Sequence, residues 1–295
     1  MQMTLGSAVS SIPPCDDDCP FCKEEKYLGY TTKHGEQKKE SVLASNLRSK
    51  QEITNDRSAG KVYPLSGGDD QTIGWEAEPG VFEDFTVGIP AAPHHLIPGN
   101  AAMAPSRLED WTRESKGKIR EDIGYSIDCA QNGIFLPHLP EIYFTRYKSG
   151  TKIKQSAFYG QTWLDLSASV KESIGFLLMG ETSLQMHYTD HSAVFAGSAG
   201  SYDDICKSLC NGLADAVSLS YGAAKCKDDD GKVAPPYAVV IRTNGLSRKV
   251  KRKITGHPEN WSAWVSPLAH DLTVALNRPN ASSIQKKFLI RCLTK

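Results

Sequence analysis

The stretch Ala92-Pro93-His94-His95-Leu96-Ile97-Pro98-Gly99-Asn100 decides how this chain is read. Pro93 and Pro98 bar the two histidines from a helix interior, because proline lacks an amide donor and pushes its predecessor into extended conformations. The pair is expected at the end of a short strand, just before a turn at Pro98-Gly99-Asn100. Neighbours in a strand point to opposite faces. One imidazole can then hold a metal while the other reaches a substrate.

Outward from this segment, residues 71–97 alternate apolar and turn residues and predict short strands leading into the histidine pair. Residues 106–122 suggest an amphipathic helix with Leu108, Trp111 and Ile119 on its apolar side. Residues 128–137 suggest a turn and then a short strand, Ile134-Phe135-Leu136. Residues 164–188 look helical at their centre. The clearest helix is 202–225, where Ile205, Leu209, Leu213 and Val217 form one stripe. Pro235-Pro236 is expected to begin a buried strand over 237–242, and 288–293 a last one. Residues 1–70 are polar, with mixed charges from Lys23 to Arg57. They suggest a polar N-terminal arm or small Cys-containing module, helical around residues 40–52, ahead of a main domain over 71–295. The class is α+β.

No run among the 295 residues approaches the roughly 18 apolar residues of a membrane span. The amino terminus has no basic region followed by an apolar stretch and a small-residue cleavage site, so export would use a route without a cleaved signal peptide, or the chain is part of a longer one. Net charge is zero, yet residues 242–295 carry 11 Lys/Arg against Glu259 and Asp271, leaving the rest at −9. Arg242 and the cluster Arg248, Lys249, Lys251, Arg252 and Lys253 suit a polyanion contact, or equally a solvated or partner-docking face. The eight cysteines are too sparse for a disulfide scaffold. Cys206 and Cys210 share a helical face and are expected as buried thiols. Cys15, Cys19 and Cys22 suit either a small structural zinc with His34 as fourth ligand or ordinary or disulfide-linked cysteines in a flexible arm.

Downstream of the pair come Asp128-Cys129-Ala130-Gln131-Asn132-Gly133-Ile134-Phe135-Leu136-Pro137 and then His187-Tyr188-Thr189-Asp190-His191. On a helix, His-x-x-x-His places two imidazoles one turn apart on one face, as a shared metal requires. His94 would complete a facial set with positions open for water and a phosphate oxygen. His95, off the metal, could take a proton from that water. Asn132-Gly133 is a turn dipeptide. The chain carries no Walker-type phosphate loop, no Gly-x-Ser-x-Gly elbow and no His-Glu-x-x-His. His138, His257 and His270 lack a partner pattern and default to surface or packing roles.

The order His-His-x-x-Pro, then Asn-Gly with a short apolar strand, then His-x-x-x-His resembles the AHH family of the HNH/endonuclease VII nucleases, and the related colicin-type nucleases. The resemblance covers 92–100, 128–137 and 187–192. It implies a ββα-metal core of β-hairpin and helix on one divalent ion, with helical insertions, the main one at about 138–186. It implies His95 as general base, His94, His187 and His191 as metal ligands, and Asn132 as the loop-bracing or metal-side asparagine. The ion would be Mg, Mn, Zn or Ni; apart from the resemblance, the cysteine spacing of the arm offers a second, structural zinc. The implied activity is hydrolysis of a nucleic-acid phosphodiester, DNA before RNA; the charge asymmetry, not the resemblance, makes Arg248, Lys249, Lys251, Arg252 and Lys253 the residues expected to hold flanking phosphates. Members often end bacterial polymorphic toxins, which implies a cognate immunity protein, a secretion apparatus or carrier, and action in a target cell's cytoplasm. The chain departs from the family in the length of the insertion and in lacking a glycine between His187 and His191. The alternatives are a non-catalytic zinc-stabilised binding or adaptor module, and an RNase with the same site.

Overall fold

The computed structural model describes residues 19–22, 40–49, 71–78, 81–88, 91–137, 143–148, 151–155, 175–176, 179, 182–187 and 191–277. Within them the chain is α+β. Helix α1 (Glu40–Ser49) is followed by strands β1 (Gln71–Glu78), β2 (Val81–Gly88), β3 (Ala91–His95), β4 (Gly133–Pro137), β5 (Tyr143–Lys148) and β6 (Thr151–Gln155). Helices α2 (Tyr202–Ala223), α3 (Ala238–Ile254) and α4 (Pro267–Asn277) close the order. The strands form an antiparallel four-stranded sheet, β1-β2-β5-β6, and a separate antiparallel pair, β3-β4.

The β3-β4 pair sets the frame of the site. Its register places His94 opposite Ile134 and His95 opposite Gly133. Gly133 is needed for close approach: a Cβ there would lie 2.6 Å from Leu43 Cδ1 and 3.1 Å from both Leu47 methyls. Leu43 and Leu47 are fully buried, and α1 packs on β3 and β4. Burying each leucine contributes roughly 1.5–3 kcal/mol. Phe21 is likewise buried, beside the rings of Trp111 and Tyr221. Among its described residues, the segment expected as a polar arm thus sends Phe21, Leu43 and Leu47 into the body.

Helix α2 begins with a capping box, in which Ser201 Oγ accepts from Asp204 N–H and the Asp204 carboxylate accepts from Ser201 N–H. Its fully buried stripe is Tyr202, Cys206, Cys210, Ala214 and Val217, while Ile205, Leu209 and Leu213 are only half-buried. Val217 is buried as expected, while the rest of the buried face is turned one position from the expected stripe. Small side chains at 206, 210 and 214 let the 99–111 segment pack against the helix.

Four expectations are corrected. Residues 107–111 and 114–116 form short 3₁₀ turns rather than one amphipathic helix. Ser106 caps the first turn, and Gly117, at φ 81°, ends the second in the left-handed region. Residues 237–242 start helix α3 instead of a strand. Val239, Val240, Thr243, Ser247, Val250 and Ile254 recur at helical spacing and are buried. The insertion is not simply helical. It supplies β5 and β6, which extend the sheet from β2, alongside helical residues Gly175, Phe176, Met179 and Thr182. Finally, His187 and His191 do not share a helix. His187 N–H donates to the Pro137 carbonyl at 2.7 Å, and His191 lies in a turn. Cys15, His34, His138 and the strand expected at 288–293 lie outside the described residues.

Candidate metal centre

His94 reaches the interior from β3 and is 2% exposed. His187 arrives because the long insertion leaves and returns at one place: the Pro137 carbonyl that ends β4 accepts the His187 amide. Gln185, also buried, fixes the approach, donating from Nε2 to the Ala263 carbonyl at 2.7 Å and accepting from Val265 N–H at 2.8 Å. Leu184 bridges to Thr255 at the end of α3. The His187 amide and the Ser183 carbonyl, which accepts from Gly256 N–H, are thereby engaged outside any helix through this segment.

The result is a triangle of imidazoles. Ring centroids lie 5.1 Å apart for His94–His187, 4.9 Å for His94–His191 and 5.3 Å for His187–His191. One nitrogen from each lies within 4.8 Å of the others, a set that could hold a metal ion. Nitrogens each about 2.1 Å from one ion at tetrahedral angles lie about 3.4 Å apart, so modest ring rotations close the set. Burial, then the neighbouring His191, His187 and His95, hold the His94 imidazole well below the usual histidine range. His94 is therefore neutral, the form that ligates metals.

Tyr202, the first residue of α2, supports this imidazole from behind. Burial holds its phenol well above the usual tyrosine range, so it keeps its proton. The phenol donates to the Leu96 carbonyl at 2.8 Å and lies 3.1 Å from His94 Nε2. With its only proton given to Leu96, the phenol oxygen accepts from His94 Nε2–H. That tautomer leaves the Nδ1 lone pair available. Nothing in the 187–191 spacing pointed to Tyr202.

His95 faces away from His94 and is paired differently. Its Nε2 lies 2.8 Å from Asp128 Oδ1, with both side chains largely buried. A carboxylate accepting from Nε2–H fixes the tautomer and leaves Nδ1 as a proton acceptor. No motif marks Asp128 in the sequence; its only signal is a carboxylate in the loop that β4 returns beside β3.

Asn132 is fully buried and wholly occupied as a brace. Its Oδ1 accepts from Ile97 N–H at 2.9 Å and Ser247 Oγ–H at 2.8 Å, and its Nδ2 donates to the Ile97 and Ile127 carbonyls at 3.1 and 2.9 Å. It ties the chain after the histidine pair to α3. Thr243, Asn244 and Ser247 make the polar notch in the buried face of α3 that receives this loop.

The basic cluster lies on α3. Arg242, Arg248, Lys249 and Arg252 are exposed, whereas Lys251 and Lys253 are half-buried and Lys253 donates to Ser262. Lys251, Arg252 and Lys253 also occupy the last helical turn, where positive charge complements the helix dipole. Cys206 and Cys210 are buried; burial pushes the Cys210 thiol up to about 12 and Cys206 further, so both are protonated packing groups. His270 packs against Phe195 and Trp264, and His257 is exposed beside Glu259. Cys19 and Cys22 converge with Cys226, from the loop after α2. No protein-family model, curated protein or solved structure matches the chain.

Proposed function

We propose that the chain is a metal-dependent nuclease that hydrolyses nucleic-acid phosphodiesters, DNA before RNA. The observation that carries this reading is the adjacency, at the end of one strand, of a three-imidazole cluster and a histidine–aspartate pair. His94, His187 and His191 would hold one divalent ion, which would supply charge neutralisation at the phosphate and the leaving oxygen. His95, oriented by Asp128, takes the proton of the attacking water through Nδ1. Asn132 keeps His95 and the following turn in register with α3, and Tyr202 keeps His94 in the ligating tautomer. The exposed cations of α3 hold flanking phosphates. Of Mg, Mn, Zn and Ni, three imidazoles favour Zn or Ni over Mg.

On this reading the site belongs to a ββα-metal nuclease of the AHH kind with a modified last element. The protein acts as a secreted antibacterial effector, active in a target cell's cytoplasm. It is held in check by an immunity protein and delivered by a secretion apparatus or carrier. Among the described residues no helix is long and apolar enough to cross a membrane.

Burial of His94 favours a second reading, a zinc-stabilised binding or adaptor module without catalysis. A closed four-ligand site makes folding depend on metal, whereas a nuclease with open positions folds as apoprotein and loses only activity. Incubating the purified chain with plasmid and with RNA, with and without chelator, while following folding by circular dichroism, separates them. Chelator-sensitive cleavage supports the nuclease. Metal-dependent folding without cleavage overturns it.

A further inference from the structure

We infer that Cys19, Cys22 and Cys226 form a second metal site, a thiolate-bound zinc that fastens the N-terminal segment to the loop after α2. Cys19 Sγ and Cys226 Sγ are 3.9 Å apart. A disulfide would bring them to about 2.05 Å, whereas two thiolates about 2.3 Å from one tetrahedral ion lie about 3.8 Å apart. All three sulfurs fall within 4.8 Å of one another. Cys19 and Cys22 carry the two-residue spacing of structural zinc sites, and Cys22 N–H folds back on the Cys19 carbonyl at 3.2 Å to form the turn.

The surroundings hold this geometry in place. Phe21, inside the Cys-x-x-Cys turn, is 2% exposed, with ring centroids 6.1 Å from Trp111 and 6.4 Å from Tyr221. Tyr221 lies at the end of α2, and its hydroxyl donates to the Gly231 carbonyl, which fixes the loop that carries buried Cys226. The same loop is tied to the body by Val233, which bridges to Ile119. Three soft thiolates select zinc over the hard cations, and binding releases the thiol protons. The ion joins residues 207 positions apart. A cross-link of that span restricts the unfolded chain strongly. The role is structural and independent of the imidazole cluster.

The test uses the full chain loaded with Co(II), which reports thiolate ligation by a near-ultraviolet charge-transfer band. Wild type and His94→Ala are expected to show the band, and Cys226→Ser to lose it. Cys22 is solvent-exposed. In wild type loaded with zinc, its alkylation should be slowed at least about tenfold and released by chelator. That measurement needs no variant and stands if Cys226→Ser fails to fold. A missing band in wild type overturns the site, as does a band that survives in folded Cys226→Ser. So does Cys22 labelling that chelator leaves unchanged, or a Cys19–Cys226 disulfide in the intact mass. Absence of cleavage would leave this site untouched.

Discussion

His95 Nε2 sits 2.8 Å from Asp128 Oδ1, at the end of the β3-β4 pair, while the preceding His94 turns inward to two other imidazoles. Strand alternation alone separates the two rings. The aspartate then gives the outer ring a defined tautomer, and the tyrosine at the start of α2 does the same for the inner one. Two adjacent residues of one type are thus prepared for different chemistry by different neighbours.

If His95 is the base, His95→Ala lowers cleavage by roughly 10²–10⁴ while folding and metal content hold. Asp128→Asn is expected to approach that loss, because an amide facing Nε2 favours the opposite tautomer. Plasmid nicking at matched metal occupancy checks both. Wild-type rates in His95→Ala would remove the base assignment.

The imidazole cluster predicts that His94→Ala, His187→Ala and His191→Ala each weaken metal affinity, and that excess metal partly restores activity. Titration calorimetry with the divalent ion reads this directly. Unchanged affinity in both His187→Ala and His191→Ala would make those two residues packing groups.

Asn132 should behave as a brace and not as a ligand. Asn132→Ala strands the buried Ile97 amide and leaves Ile97 and Ile127 carbonyls short of a donor, at a cost of at least about 2 kcal/mol. Ser247→Ala, which removes one of the bonds Asn132 accepts, should cost about 1 kcal/mol. Urea unfolding of the metal-free protein gives both values. Metal affinity of folded Ser247→Ala should match wild type.

The capping box before Tyr202 is open to a similar test. Ser201→Ala removes the acceptor for the Asp204 amide and should cost roughly 0.5–2 kcal/mol. The Asp204 carboxyl is held below the usual range by its hydrogen bonds from Ser201. Its folded-state value is depressed, so its contribution is present above the ordinary carboxylate range and fades as pH falls through the lowered value. The difference between the thermal melts of wild type and Ser201→Ala should therefore narrow in strong acid, leaving the part owed to the Asp204 amide.

What the sequence showed, it showed through local rules. Proline flanks placed the histidine pair in a strand, and helical spacing found α2. The same local rules misplaced α3, because the apolar run after Pro235-Pro236 satisfies a buried strand and a helix start alike. They gave a false reason for His187 and His191 to share a site: helical spacing was expected, whereas the Pro137 carbonyl and the Gln185 clamp bring His187 in. Asp128, Tyr202, Ser247 and Cys226 could not be assigned, since each acquires its role from a partner distant in sequence. Cys226 is the plainest case: its neighbours Cys19 and Cys22 stand near the other end of the chain.

The charge asymmetry carries the last prediction. Arg242, Arg248, Lys249 and Arg252 are exposed on α3, and changing all four to Gln should weaken DNA binding without altering cleavage at saturation. For duplex DNA the slope of log affinity against log salt should flatten by up to about 0.9 for each phosphate that is no longer neutralised. Lys251 and Lys253 are left in place, because both are half-buried and Lys253 also bonds Ser262. Their removal would mix stability with binding. The competing outcome is that DNA affinity holds while affinity for an acidic inhibitor protein drops, which would make this face a docking surface. An unchanged salt slope with DNA takes α3 out of the nucleic-acid interface and leaves the nuclease reading on the histidines and Asp128.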